Sequence, residues 1–286
     1  SEMCIRDRLR CHYCGANYKM PKTCPSCGRE YIKYTGIGTQ QVEEQLKLVF
    51  PNVRCLRMDM DTTSGKTAHR DILDAFTRRE ADVLIGTQMV AKGLDIPNVT
   101  LVGVVFADST LFHSDFRSSE RTFQLLTQVA GRAGRADKEG RVVIQTNAPG
   151  HRAIRLCTKH DYKTFYNLEI GDRLRTLFPP FAVFVRAQFA CADENAAADA
   201  AERFANGVTK TILTALKPAN AENELVFALA GAAPIRRREG LFRYAVIIKL
   251  VRTANTAAAI NAIYAFSDGC ADECYRGIEV NPQDML

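Results

Sequence analysis

Four cysteines near the start of the chain have the spacing of a metal site. The stretch CHYCGANYKMPKTCPSCG, residues 11–28, reads C-x2-C-x9-C-x2-C, with Cys11, Cys14, Cys24 and Cys27 as its thiols. Cysteines two apart present both thiolates from one tight turn, and two such pairs supply the four sulfurs of a tetrahedral structural Zn2+ site. Gly15 and Gly28 follow the pairs, where a left-handed turn suits a residue without Cβ. A second group is suited to anions. In QVAGRAGR, residues 128–135, Arg132 and Arg135 are three apart, so on a helix they share a face and can grip one anion together. Gly131 and Gly134 strip side chains from that region and let another surface approach. The same octet also reads as a glycine-frayed helix end whose basic residues complement its dipole. A third stretch, IGTQMVAKGLD, residues 85–95, puts Thr87 and Gln88 at the exit of a strand. Its Gly93 lets backbone come close to a ligand, and Asp95 can accept from a sugar hydroxyl. Alone it reads equally as a polar strand-to-helix loop.

One further motif invites a nucleotide reading and fails it. DTTSGKT, residues 61–67, ends like a phosphate-binding loop in Gly65, Lys66 and Thr67. The full loop needs a glycine five positions before Gly65, where Met60 stands, and a buried strand leading straight into it. The approach here is RMDMD, whose aspartates repel phosphates. A polar turn opening a helix is the reading adopted.

The elements that position these residues alternate. In TQQVEEQLKLVF, Val42, Leu46, Val49 and Phe50 fall on one helical face. VRCLRMD is strand-like and HRDILDAF helical. DVLIGT and VTLVGVVFAD are short apolar runs of the buried parallel kind. SERTFQLLTQVAGRAG sets Phe123, Leu126 and Ala130 on one face, and RVVIQT closes the series. Repeated strand–helix units of this size predict a parallel sheet with helices on both faces. Beyond Phe178, Pro179 and Pro180 the pattern changes to β-α-β-β-α-β, the order of a small split-βαβ domain. Its elements are FPPFAVFVRAQFA, an alanine-rich helix from ENAAADAAERF onward, ELVFALAG, LFRYAVIIKLV, NTAAAINAIYAF and GIEVNP.

With 286 residues and 47% apolar content, the chain can build two ordinary cores. No apolar run is long enough to cross a membrane. A net charge of +6 permits nucleic acid as a partner without requiring it. Ten cysteines in a chain this long do not make a disulfide scaffold, and a reducing cytoplasm fits them. Cys55, Cys157 and Cys191 sit in apolar runs as small core residues, while Cys270 and Cys274 stand near the end without partners at metal spacing.

Taken together, the order and spacing of IGTQMVAKGLD and QVAGRAGR in an α/β frame resemble motifs V and VI of superfamily 2 helicases. These lie on the second RecA-like lobe. In that family the first lobe supplies the phosphate loop and magnesium carboxylate, and the second supplies arginine fingers. Longer runs narrow the resemblance: YTGIGTQQVEEQL, DVLIGTQMVAKGLDIPNVTLVGV and ADSTLFHSDFRSSERTFQLLTQVAGRAGR, with the cysteines upstream and APIRRREGLFRYAVIIK downstream. They are similar to the PriA-type replication-restart helicases, from about Leu9 to the C-terminus.

The resemblance implies a division into a non-native start (1–8), a partial zinc-binding region (9–33), RecA-like lobe 2 (34–174) and a C-terminal domain (175–286). It implies that Arg132 and Arg135 contact the ATP γ-phosphate with Gln128 alongside, and that Gly93 and Asp95 lie at the nucleotide edge. Thr39 and Thr87 would hold the DNA backbone. ATP and Mg2+ would be cofactors of the longer protein, and this chain alone would not hydrolyse ATP. The implied activity is 3′-to-5′ translocation on single-stranded and forked DNA, with reloading of the replicative helicase through primosome proteins in a bacterial cytoplasm. The implied partner of the C-terminal domain is the acidic tail of single-strand-binding protein. Arg236, Arg237 and Arg238 beside an apolar strand could pair with its carboxylate, or be a solvated basic loop. The family carries eight zinc cysteines in two interleaved sites. There Cys11/Cys14 and Cys24/Cys27 would serve different ions, each with an upstream pair that this sequence lacks, and Cys4 does not match one. Another superfamily 2 translocase, or a non-catalytic zinc and DNA-binding module, is the alternative.

Overall fold

The computed structural model describes residues 2–5, 8–11, 17–19, 23, 28–30, 38–59, 68–87, 90, 99–112, 115–131, 133, 140–216 and 224–283. They form two compact units, 33–169, and 170–286 with 1–32. No described helix is long and apolar enough to cross a membrane.

Near the start, β1 (Glu2–Ile5), β2 (Arg8–Cys11) and β3 (Asn17–Lys19) pair antiparallel in that order. Gly28 adopts φ +69°, the left-handed region that its position after a C-x2-C pair calls for.

Unit 33–169 opens with α1 (Thr39–Val49), then β4 (Cys55–Met58), α2 (Ala68–Thr77) and β5 (Val83–Gly86). The strands pair parallel, Cys55 opposite Val83 and Met58 opposite Gly86. A parallel pair needs a crossover, which α2 provides. The second pair is β6 (Leu101–Val104) and β7 (Arg141–Ile144), again parallel, Leu101 opposite Arg141. Between them lie α3 (Asp108–Leu111) and α4 (Ser118–Ala130). Helix α4 buries Ser118, Thr122, Phe123 and Leu126, a stripe at helical spacing. Phe123 stacks on Phe165, centroids 4.2 Å apart, in a core with Leu111, Ile154, Leu156 and Cys157.

The expected apolar face of α1 holds only in part. Val42 and Leu46 are half-buried, whereas Val49 and Phe50 are 67% and 58% exposed. A four-residue strand spans roughly 13 Å. An eleven-residue helix spans roughly 16 Å. The last turn of α1 therefore carries its side chains past the strands it contacts. Three helices were not evident in the sequence: the single turn α3, α5 (Arg152–Cys157) and α6 (Tyr162–Thr176). Helix α6 buries only Phe165 and Glu169, too few positions to set a period. Glu169 is held by Arg152 at 2.8 Å.

The C-terminal unit continues with β8 (Ala182–Cys191), α7 (Glu194–Ala215), β9 (Leu225–Arg238), β10 (Leu241–Val251), α8 (Thr256–Asp268) and β11 (Tyr275–Val280). The strands form one antiparallel sheet in the order β11-β8-β10-β9. Alternate residues Val185, Ala187 and Phe189 on β8 meet Val246, Ile248 and Leu250 on β10 in a core closed by both helices. Helix α7 starts on Asp193, whose carboxylate accepts from the Ala196 amide at 3.0 Å. Small residues let the helices close in: a Cβ on Gly207 would lie 2.4 Å from Cζ of Phe266.

Strand β9 runs past the expected ELVFALAG to Arg238 and returns through Glu239 and Gly240, both at positive φ as a tight two-residue hairpin requires. Arg236–Arg238 are thus strand residues, with their side chains exposed. Arg236 pairs with Glu194, Arg237 lies 4.8 Å over the Phe242 ring, and Arg238 pairs with Glu239. Lys249, on β10, is buried against Phe178, Phe184 and Phe227 and donates to the Thr176 carbonyl at 2.9 Å. Burial pushes its ammonium below the ordinary lysine range.

Candidate nucleic-acid and nucleotide interface

Parallel strands present their carboxyl ends on one edge, where loops collect ligand-binding residues. On the β4–β5 edge, Asp59 follows Met58 and Thr87 follows Gly86, and those two strand residues are register partners. Thr39, the first residue of α1, reaches the same edge: its Oγ1 donates to Asp59 Oδ2 at 2.7 Å. Asp59 is buried, and Arg57 Nε lies 2.8 Å from the same carboxylate oxygen. The structure therefore brings Thr39 and Thr87, 48 positions apart in the chain, to one edge. Gly86 is required there. A Cβ would fall 2.7 Å from the Met58 carbonyl oxygen, which the neighbouring backbone cannot yield.

Thr87 is exposed, and its carbonyl accepts from the Val90 amide at 3.1 Å. The Thr39 hydroxyl, in contrast, is committed to Asp59. What α1 offers outward is its N-terminus, which starts behind Gly38 without a side-chain cap. Amides of a first helical turn and the positive end of the helix dipole suit a phosphate. Asp59 was missed by sequence reasoning, which took the aspartates of RMDMD only as a repellent to phosphate. A polar residue at the exit of a parallel strand was the available signal.

Gln128 is exposed in the last turn of α4, on the helix that contacts β6. Among the described residues no hydrogen bond joins it to either threonine. The helix ends at Ala130 with Gly131 as its C-cap. Gly131 has φ −69°, and a Cβ there would meet nothing closer than 3.6 Å. Termination of the helix therefore does not demand a glycine. Arg132, Gly134 and Arg135 lie outside the described residues, as do Gly93, Asp95 and the Lys66 stretch.

The other end of α4 is fastened by charge. The Asp115 side chain is fully buried, and Arg117 grips it with Nε at 3.0 Å and Nη2 at 2.9 Å, with Arg121 Nη1 at 3.2 Å. Burial alone would raise this carboxyl. The Arg117 hydrogen bonds, from guanidinium and backbone, and the two positive charges outweigh it and hold the group below the ordinary carboxylate range. Asp108, also buried, ties the exits of β6 and β7 together through the Thr146 hydroxyl and the Asn147 amide, both at 2.9 Å.

Of the metal candidates, Cys11 ends β2, and Cys14, Cys24 and Cys27 lie outside the described residues. Among the described residues no group of three or more potential ligands comes together. The donor set itself, two C-x2-C thiol pairs, is of the kind zinc takes.

Comparison with known proteins places these residues in a family context. Residues 31–137 match the helicase conserved C-terminal domain. The replication restart protein PriA of Bacillus subtilis is 46% identical over 256 residues, covering 90% of this chain and 31% of that protein. The PriA of a Synechocystis strain is 50% identical over 177 residues, covering 62% and 21%, and that of Treponema pallidum 39% over 216, covering 75% and 32%. The chain spans at most about a third of the length of these relatives.

Proposed function

Because the chain is a homologue of the PriA replication restart proteins and carries a helicase conserved C-terminal domain over residues 31–137, we propose that it is the C-terminal portion of an ATP-dependent DNA helicase that restarts stalled replication forks. Unit 33–169 would be the second RecA-like motor lobe, followed by a C-terminal domain of the split-βαβ kind. The observation that carries the reading is the convergence of Thr39 and Thr87 on one carboxyl edge of a parallel pair, inside the matched region.

In this reading the β4–β5 edge takes the phosphates of one DNA strand. The Thr87 hydroxyl donates to one, and the first-turn amides of α1 to another, with Asp59 orienting Thr39 and not competing for the strand. Such contacts set register on a strand without reading its bases, which suits a 3′-to-5′ translocase. Gln128, Arg132 and Arg135 would face ATP bound by the first lobe, with Gly93 and Asp95 at the nucleotide edge. Two guanidiniums aimed at the γ-phosphate stabilise charge that builds up in phosphoryl transfer. Mg2+ and the phosphate loop would come from the first lobe, so the chain by itself would not turn over ATP. Cys11/Cys14 and Cys24/Cys27 would each complete a Zn2+ site with another thiol pair. Single-stranded and forked DNA and primosome proteins are the partners in this reading. So is the acidic tail of single-strand-binding protein, which would have to displace the Glu194 and Glu239 partners of Arg236 and Arg238.

The test joins this chain to a first lobe and measures DNA-stimulated ATP hydrolysis and strand separation. Activity that disappears on Arg132→Ala or Arg135→Ala, and binding of single-stranded DNA that weakens on Thr87→Ala, is the expected result. Turnover that survives both arginine changes, or that the isolated chain shows and Lys66→Ala abolishes, would refute the assignment.

A further inference from the structure

The C-terminal unit holds two cysteines that sequence reading set apart. Cys191 lies in an apolar run and Cys274 near the end of the chain without partners at metal spacing, and the fold brings them to one core. Cys191 is the last residue of β8, two positions after Phe189, so its side chain stands on the helix-covered side of the sheet. Cys274 immediately precedes β11, and its carbonyl accepts from the Ala190 amide at 2.7 Å. That bond brings the turn before β11 alongside the end of β8. The turn is held in place: the Cys274 amide donates to Asp272 Oδ1 at 3.0 Å, and Arg203 of α7 grips Asp272 Oδ2 at 2.7 Å. Both side chains join one core: Cys274 is part of the cluster between sheet and helices, and Cys191 packs against it.

The two sulfurs differ in setting. Cys191 is half-buried at the rim of the core, whereas Cys274 is 6% exposed behind it. The amides of Ala192 and Asp193 follow Cys191 in the chain where α7 begins. The neighbouring Cys274 thiol first, and those amides after it, draw the Cys191 thiol below its ordinary range against its burial and the nearby Asp193 charge. Burial, and then Cys191 itself, push Cys274 up to about 12. A half-buried thiol drawn below its ordinary range beside a second, buried thiol is the arrangement of a nucleophilic and a resolving cysteine. Cys157 offers the contrast. Cys157 is 2% exposed and donates to the Ile154 carbonyl at 3.0 Å, and burial raises it.

We infer that Cys191 and Cys274 form a reversible redox pair, in which Cys191 reacts first with a hydroperoxide and Cys274 closes the disulfide. The Cys191 thiolate attacks the O–O bond of the hydroperoxide and becomes a sulfenic acid as hydroxide or alkoxide leaves. The Cys274 sulfur then displaces the sulfenic oxygen, its proton departs with that oxygen as water, and the S–S bond forms. The pair gives up two electrons, and the hydroperoxide is reduced to water or to an alcohol and water. A dithiol reverses the step by exchange. The disulfide ties the end of β8 to the turn before β11.

The test treats the full, reduced chain with hydrogen peroxide, alkylates the remaining thiols and maps linked peptides by mass spectrometry, so that oxidation at Cys11, Cys14, Cys24 and Cys27 is scored separately. The expected result is a Cys191–Cys274 link that dithiothreitol removes. Cys274→Ser leaves Cys191 as a sulfenic acid trapped by dimedone, and Cys191→Ser leaves Cys274 unmodified. In the untreated chain at neutral pH, iodoacetamide labels Cys191 about tenfold faster than Cys157. Both serine variants conserve volume, and circular dichroism checks that they fold. The inference is overturned if Cys191 labels no faster than Cys157, or if peroxide that oxidises other cysteines yields no Cys191–Cys274 link. A link from either residue to Cys270 in its place overturns it equally.

Discussion

The two units differ first in strand length. In 33–169 the four described strands have four residues each and pair in parallel twos, whereas β8 to β11 run from six to fourteen residues in one antiparallel sheet. The C-terminal sheet is long enough to lay a continuous core against α7 and α8. The short parallel pairs carry polar clamps at their exits, Asp59 with Thr39 and Asp108 with Thr146 and Asn147, and α4 is fastened at its start by Asp115 with Arg117 and Arg121. A short strand puts most of its residues near an edge, and a parallel edge is where loops meet ligands. The unit with fewer buried apolar layers is therefore the one that carries the candidate chemistry, and charge holds its loops where packing does not reach.

The sharpest separation of chemistry from stability is expected at the arginines. In a protein that includes the first lobe, Arg135→Ala, and separately Arg132→Ala, should slow DNA-dependent turnover by about 10³-fold, equivalent to roughly 4 kcal/mol, with the thermal midpoint unchanged. A helix-end charge would instead be worth about 0.3–1 kcal/mol and act on stability. Turnover kept within a few-fold while the midpoint falls would move these residues to the structural side of the comparison.

Next in size is the clamp that holds α4. Asp115→Asn should destabilise unit 33–169 by about 3 kcal/mol, because two arginines lose a buried partner. The pH dependence follows from the depressed carboxyl. Its stabilisation is full above the unfolded value of about 3.9 and is lost as pH falls through the lower folded value. Denaturant titrations should show the gap between wild type and variant closing as pH drops below about 4. A gap that stays constant down to pH 2 would mean that the carboxylate charge contributes nothing.

Two glycines give the smaller effects and compare the units directly. Gly207→Ala drives a Cβ to within 2.4 Å of Phe266 and should cost about 1–3 kcal/mol in the packed C-terminal unit. Gly131→Ala, with no neighbour nearer than 3.6 Å and φ −69°, should change stability by less than about 0.5 kcal/mol. If Gly131 serves a close approach by another surface, turnover of the complete protein should still fall. Equal loss of stability at both sites, read from thermal midpoints, would erase the distinction between packed and functional glycines.

Much of the element pattern was legible beforehand because burial leaves a period. Phe123 and Leu126, on the face expected of α4, are buried, and the apolar run of β10 and the run that forms α7 can be counted off the chain. The C-x2-C pairs, QVAGRAGR and IGTQMVAKGLD are likewise local patterns, and they pointed to the helicase family before any fold was described. Local spacing stops where partners are distant or sparse. Helix α6, with two buried residues, left no period, and the reach of β9 to Arg238 depended on pairing with β10. Thr39 meets Asp59 from 20 residues away, and Cys191 meets Cys274 only because β8 and β11 are neighbours in the sheet. The chain alone determined which residues could do chemistry and which faces must be buried. Tertiary structure decided where the Thr39 proton goes and which thiols share a core, since strand order, not spacing in the sequence, sets those distances.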